Sequence, residues 1–164
     1  MGMNFVDLVV TVRRHYKLEL DLYDRYHQNT INSYIHVICI TCEWFATLLL
    51  LRQVHLQLAE LCVIILAGFL CIVSCGGILC SLLLAALLYS IEISCSSGDW
   101  TVLVAVGLGL GVHMLSWGVQ VGIGHYLIEG NSPSMAESLS FYGVLFSLLM
   151  AWDNGWRKLI SKLK

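Results

Sequence analysis

Apolar positions run along this chain in long blocks: residues 34–51, 61–93 and 101–128, with a shorter block at 139–152. A membrane-spanning helix needs about 20 mostly apolar residues, so the first three blocks read as spans. The block 61–93 is too long for one helix. It would extend about 50 Å against a hydrocarbon core of about 30 Å. Gly76-Gly77 sits near its middle, which predicts two helices, 61–75 and 78–93. The other spans are expected at 33–51 and 101–128, and 139–152 reads as a short or re-entrant helix. Residues 5–28 have another pattern. Phe5, Leu8, Val9 and Val12 recur at helical spacing before charges take over, as in an interfacial helix. Asn29–Asn32 is a polar turn, 94–99 a polar loop, and Gly130-Asn131-Ser132-Pro133 a further turn. Residues 153–164 form a basic amphipathic tail suited to an anionic leaflet. The expected fold is all-α, a polytopic membrane helical bundle. It has four to five hydrophobic helices plus an N-terminal interfacial helix, in a single membrane domain over 1–164.

Composition agrees with the pattern. The chain has 164 residues, 58% hydrophobic and 12% charged; soluble domains average about 25% charged. A basic nucleic-acid-binding face and a disordered chain are excluded, and the net charge of −2 points to no polyanionic partner. The basic clusters at 13–25 and 157–164 place both termini on the cytoplasmic side. No apolar leader opens the chain, and Val6 stands where N-myristoylation wants Ser or Thr. Six of the seven cysteines (Cys39, Cys42, Cys62, Cys71, Cys75, Cys80) lie in apolar runs and read as reduced packing residues. Cys39-x-x-Cys42 is then one turn of a buried helix face.

Scarce polar residues stand out against this background. An ionisable group inside a membrane is costly and asks for a reason. His27 and His36 flank the polar turn before the first span, and a bend there could bring them together. His125 and Glu129, four apart, share a helix face. His113 lies twelve residues before His125, about 18 Å of rise and about 120° of rotation on a straight helix. One metal could take both only if the helix broke, which Gly118, Gly122 and Gly124 would allow. Neutral imidazole is the commonest protein metal ligand, so these histidines are either a metal site or packed, hydrogen-bonded helix residues. His15 and His55, in polar surroundings, read as surface residues. Glu43, seven after His36 on nearly the same face, reads as a partner of a metal ligand, a pore acid or a buried hydrogen-bonded acid.

Two blocks resemble a known family. Tyr26-His27-x-Asn29-x-x-Asn32-x-x-Ile35-His36 is similar to the opening motif of the Mpo-type 2-hydroxy fatty acid dioxygenases, small multi-pass proteins of the endoplasmic reticulum membrane. His113-x-x-Ser116-Trp117-x-x-Gln120, followed by Gly124-His125-x-x-x-Glu129-Gly130-x-x-Pro133, is similar to the family's later motif. The chain departs from the family where Thr30 replaces a frequent proline, where Gly122 replaces a histidine found in some members, and where small apolar residues near Gly122 replace an aromatic. The resemblance implies an Fe2+-dependent dioxygenase. It would use O2 to shorten a 2-hydroxy fatty acid by one carbon, as in phytosphingosine breakdown. The implied metal ligands are His27, His36, His113 and His125. Glu129 is implied as the catalytic proton acceptor, and Asn29, Asn32 and Gln120 as substrate-binding or ligand-orienting residues. Each of these four is equally suited to capping a helix or to polar contact between helices.

Such a site constrains topology. His27 and His36 start the first span, while His125 and Glu129 end the long one, so the two must run in opposite directions. The block 61–93 then supplies two crossings, and the site lies on the cytoplasmic side. The implied partners are the acid, O2 and membrane lipid. Two other readings are a haem protein with histidine axial ligands and a non-catalytic membrane scaffold.

Overall fold

The structure is a computed structural model that describes residues 4–98, 100–133 and 141–163. All its elements are helical: α1 (Phe5–Tyr26), α2 (Thr30–Val54), α3 (Leu56–Val73), α4 (Cys75–Ser96), α5 (Val102–Gly118), a π-helical segment (Val119–Glu129) that continues α5, and α6 (Phe141–Leu163). No strand occurs among the described residues. Among the described residues, four helices are long and apolar enough to cross a membrane: Thr30–Val54, Leu56–Val73, Gly76–Ser96 and Val102–Glu129. Large apolar side chains such as Leu79, Leu103, Met114 and Leu127 stay exposed on them, as expected where lipid is the solvent. The helical membrane bundle expected from the apolar blocks is therefore the fold observed.

Short polar side chains set the helix boundaries by accepting orphan N–H groups. Asn4 accepts from Asp7 N at 2.9 Å and Asn29 from Ile31 N at 2.8 Å. His55 closes α2 and opens α3, its Nδ1 accepting from Gln57 N at 3.3 Å. Its exposure agrees with a surface reading, while its capping role was not foreseen. The long apolar block breaks at Ser74, which caps Gly77 N at 3.3 Å. A Cβ on Gly77 would run into the Leu70 carbonyl, so glycine is what lets α4 start against the end of α3.

Several boundaries differ from expectation: α3 begins at Leu56 rather than 61, and α4 runs from Cys75 through Ser96, into the supposed 94–99 loop. The first span begins at Thr30 because Asn29 caps it, so most of the supposed turn 29–32 is already helix. The apolar stretch expected to end at Trp152 and the basic tail are one helix, α6, since nothing between Trp152 and Asp153 interrupts helical bonding. Residues 139–140 and 164 of those two expectations lie outside the described residues, as does Asp99 of the 94–99 loop. Of the glycine-spaced start of α5, only Gly109 meets a neighbour, Leu50 of α2; Gly107 and Gly111 face open space. The six described free cysteines are Cys39, Cys42, Cys62, Cys71, Cys80 and Cys95; the Cys75 side chain is outside the described ones.

α2 lies at the centre, packed on α3, α4, α5, α6 and the π segment, while α1 packs on α3 and α6. The core runs through Ile40, Leu48 and Leu49 of α2, Leu66 and Leu70 of α3, Leu84 of α4, and Phe146 and Leu149 of α6. α3 and α4 form the hairpin between α2 and α5. Arg52 Nε donates to Glu92 Oε1 at 2.8 Å and ties the far end of α2 to α4. At the opposite end, the start of α2 meets the end of the π segment.

Candidate metal centre

Three histidines from three places in the chain meet at that end. His27 is the residue that closes α1, His36 lies in the second turn of α2, and His125 lies on the π segment. All three are buried, and each offers a ring nitrogen within 4.8 Å of those of the other two. Their ring centroids are 4.2 Å (His27–His36), 4.9 Å (His27–His125) and 4.9 Å (His36–His125) apart, all edge to face.

The hydrogen bonds fix the tautomers. His27 Nδ1 lies 2.7 Å from the Tyr23 carbonyl oxygen, and His36 Nδ1 lies 3.0 Å from the Asn32 carbonyl oxygen. A carbonyl oxygen only accepts, so each Nδ1 carries a hydrogen, and in the neutral ring Nε2 then keeps its lone pair. His125 Nδ1 is held the same way, 3.2 Å from Asn131 Oδ1. Fixing one ring nitrogen so that the other is free to ligate is how proteins orient metal-binding imidazoles. Burial, with neighbouring His36 adding to it, pushes the His27 imidazole down to about 2. It is therefore neutral, the form that binds metals.

Local structure explains the convergence. The turn at 27–29 joins α1 to α2 and puts His27 over the first turns of α2. Tyr23, one helical turn before His27, stacks on its ring at 3.7 Å and an interplanar angle of 9°. In the π segment, i→i+5 bonding widens the turn, and Gln120, Gly124 and His125 form its buried face. A Cβ on Gly124 would overlap Asn32 Oδ1 and lie 3.3 Å from His36 Cε1; glycine thus permits the close approach to α2 that brings His125 to His36. Gly130, at φ +70°, ends the segment and sends Asn131 back over His125, where its N–H also donates to the His125 carbonyl at 3.2 Å.

Buried polar atoms are nearly always partnered, yet four side-chain atoms described here are not: Tyr23 Oη, His27 Nε2, Asn32 Oδ1 and Asn154 Oδ1. Tyr23, His27 and Asn32 belong to this cluster, and Asn154 lines the cavity beside His27. An unpartnered, buried Nε2 of a neutral His27, with two further imidazoles beside it, fits a divalent transition metal.

The other expected site residues divide. Glu129 Oε1 accepts from Asn29 N at 2.7 Å and from Asn32 Nδ2 at 3.1 Å, so the acid sits on the positive N-terminus of α2 and orients Asn32 beside His36. Asn29 itself is the α2 cap. Gln120 is buried, but it donates to Glu43 Oε1 at 2.6 Å and to the Ser116 carbonyl at 3.3 Å. His113 is exposed on α5 and stands outside the group of three, within electrostatic reach of Glu43. α5 and the π segment run on without the break that would have let His113 join His125. His15 is half-buried on α1. Sequence reasoning missed Tyr23, Asn131 and Lys158, whose ammonium donates to the His27 carbonyl oxygen. Tyr23 was legible as the residue one turn before His27, and Asn131 as the residue after a turn glycine. Nothing in the sequence pointed to Lys158.

The fold and this end of it define a helical membrane protein with a buried three-histidine candidate metal centre. A family model described as 2-hydroxy-palmitic acid dioxygenase Mpo1-like matches residues 13–162, so the chain belongs to that family, and its family description is that of a dioxygenase acting on a lipid acid. No curated protein and no solved structure matches the chain.

Proposed function

We propose that the chain is an iron(II)-dependent dioxygenase that shortens 2-hydroxy fatty acids by one carbon, working in the endoplasmic reticulum membrane with its centre toward the cytoplasm. The observation that carries this reading is the convergence of three buried imidazoles, each hydrogen-bonded through Nδ1. Family membership supplies the substrate class. The basic residues at 13–25 and 157–164 support the orientation, and the compartment rests on the family resemblance.

His27, His36 and His125 would hold the metal. When bound, iron(II) would supply the redox chemistry that lets O2 cleave the C1–C2 bond of the acid. The chain's own residues do the rest. Tyr23 covers one face of His27 and excludes water from it. Asn131 and the carbonyls of Tyr23 and Asn32 keep the imidazoles in their ligating tautomers. Asn32, held by Glu129 through Nδ2, presents Oδ1 as an acceptor for the 2-hydroxyl. Glu129 is the proposed proton acceptor; both of its described hydrogen bonds fall on Oε1. Asn29 and Gln120 enter this reading indirectly, the first by fixing the start of α2 under Glu129, the second by fixing the π segment against α2. The acyl tail stays among apolar helix faces in lipid.

The haem alternative fits less well. Axial imidazoles face each other across a macrocycle, and ring centroids 4.2–4.9 Å apart leave no room for one. Protein purified without oxygen should carry about one iron per chain and show no Soret band. With 2-hydroxypalmitic acid it should consume oxygen and release the acid one carbon shorter. Iron-loaded protein that releases no such acid would overturn the reaction, and His27→Ala and His125→Ala variants with unchanged metal content and activity would return the scaffold reading.

A further inference from the structure

Beside His27 lies a cavity of about 200 Å³, lined by Asp24, His27, Gln28, Asn154, Arg157 and Lys158. Its polar groups are mostly spent on one another. Arg157 pairs with Asp24 at 2.9 Å and donates through Nε to the Asp153 carbonyl at 3.1 Å. Asn154 Nδ2 donates to Asp24 Oδ1 at 2.8 Å, and Gln28 donates to the Asp24 carbonyl. The charge of Asp24 is thus met by Arg157, and that of Glu129 is directed to Asn29 and Asn32.

Lys158 is the exception. An ammonium has three donors, and among the described residues this one has a single partner, the His27 carbonyl oxygen, and no ion pair. Its charge is half-buried, against the backbone of a candidate metal ligand. Next to it, Asn154 is 3% exposed and keeps Oδ1 unpartnered. The cavity therefore holds a cation with spare donors and no direct ion pair among the described residues, on which Glu129 and Asp24 act only at longer range, at the edge of the three-histidine centre.

We propose that Lys158 is a substrate-binding residue that holds the carboxylate of the fatty acid at this cavity, so that the acid enters head-first beside His27. The assignment rests on the 2-hydroxy acid reading above and makes α6 part of the site. It explains why a helix that starts in apolar core ends by reaching to the turn between α1 and α2. A cation that bound only its own backbone would do as well as a neutral donor; one that binds a carboxylate discriminates by charge.

The test compares two ligands that differ only in that charge, 2-hydroxypalmitic acid and its primary amide, on the purified full-length chain in lipid nanodiscs under nitrogen. Equilibrium binding is read by competition. Wild type is expected to prefer the acid about 10- to 100-fold. Lys158→Gln should lose that preference while keeping its affinity for the amide, and Lys158→Arg should keep most of it. Equal weakening of acid and amide in Lys158→Gln would mean that Lys158 only ties α6 to His27, and would overturn the proposal. So would an unchanged preference, or a wild type that does not distinguish the ligands, a result that decides the matter even if Lys158→Gln does not fold. The reaction reading is checked separately, by the shortened product in air.

Discussion

Two places in this molecule combine a histidine, an acid and an amide between α2 and the helix that returns to it. At the start of α2 are His27, His36 and His125 with Glu129, Asn32 and Asn131. About two turns deeper are Glu43, Gln120 and His113. In the first, every imidazole is buried and tethered through Nδ1 to an oxygen acceptor. In the second, acid and amide satisfy each other at 2.6 Å, and the histidine lies exposed on α5. The residue types are alike; the state of the lone pairs is not. The first cluster ends with an unpartnered buried Nε2 and Oδ1. The second closes on itself, as polar pairs between membrane helices do. A histidine becomes a metal-ligand candidate when something else holds its other nitrogen and a second element brings a further imidazole to it. Depth in an apolar run is not enough.

The largest effect expected from this contrast is on metal content. His27→Ala, His36→Ala or His125→Ala should each reduce iron to background after anaerobic purification, while His113→Ala keeps it near wild type. Elemental analysis beside a circular-dichroism check of helicity decides this, and metal loss in His113→Ala comparable to that in the other three would erase the distinction. Gly124→Ala comes next. Its methyl group would meet Asn32 and His36, pushing the π segment off α2, with a cost of about 1–3 kcal/mol and reduced iron occupancy. Gly118→Ala, which faces open space, should be neutral or slightly stabilising. Thermal unfolding of both in the same detergent gives the difference.

Asn131→Ala removes the acceptor that orients His125 and should weaken metal affinity about 10- to 100-fold, read by competition with a chelator. An unchanged affinity would show that His125 keeps its orientation without Asn131. The smallest effect is expected from Gln120→Leu. An interhelical hydrogen bond inside a membrane contributes about 0.6 kcal/mol, so this change should lower stability slightly and leave iron affinity as it was. A loss of iron as large as that of Asn131→Ala would join the two clusters into one site.

Much of this was legible along the chain. Blocks of apolar residues specify spans because a helix in lipid satisfies its own backbone. Asn29 was readable as a possible helix cap because short polar side chains accept orphan N–H groups, whereas Ser74, which caps α4, was not foreseen. Gly76-Gly77 lies three residues or fewer from the true break. The polar residues around Asn29 and Gly124 marked the right end of the bundle. The place of His113 was not legible. Twelve residues before His125, its relation to the group depends on whether the intervening glycines break the helix or widen its turn. They widen it, because the buried face of Gln120, Gly124 and His125 packs continuously on α2.

The sequence by itself determined the helices, their membrane-crossing length and the set of histidines from which a centre could be drawn. Those are local properties, fixed within a few residues by hydropathy and spacing. The tertiary structure alone decided which three histidines meet, that Tyr23 and Asn131 hold two of them, that Glu129 sits against the start of α2, and that Lys158 comes back to His27 across 131 residues of chain. Those choices depend on how closely two helices approach, and here a missing Cβ at Gly124 and a wider π turn set that distance.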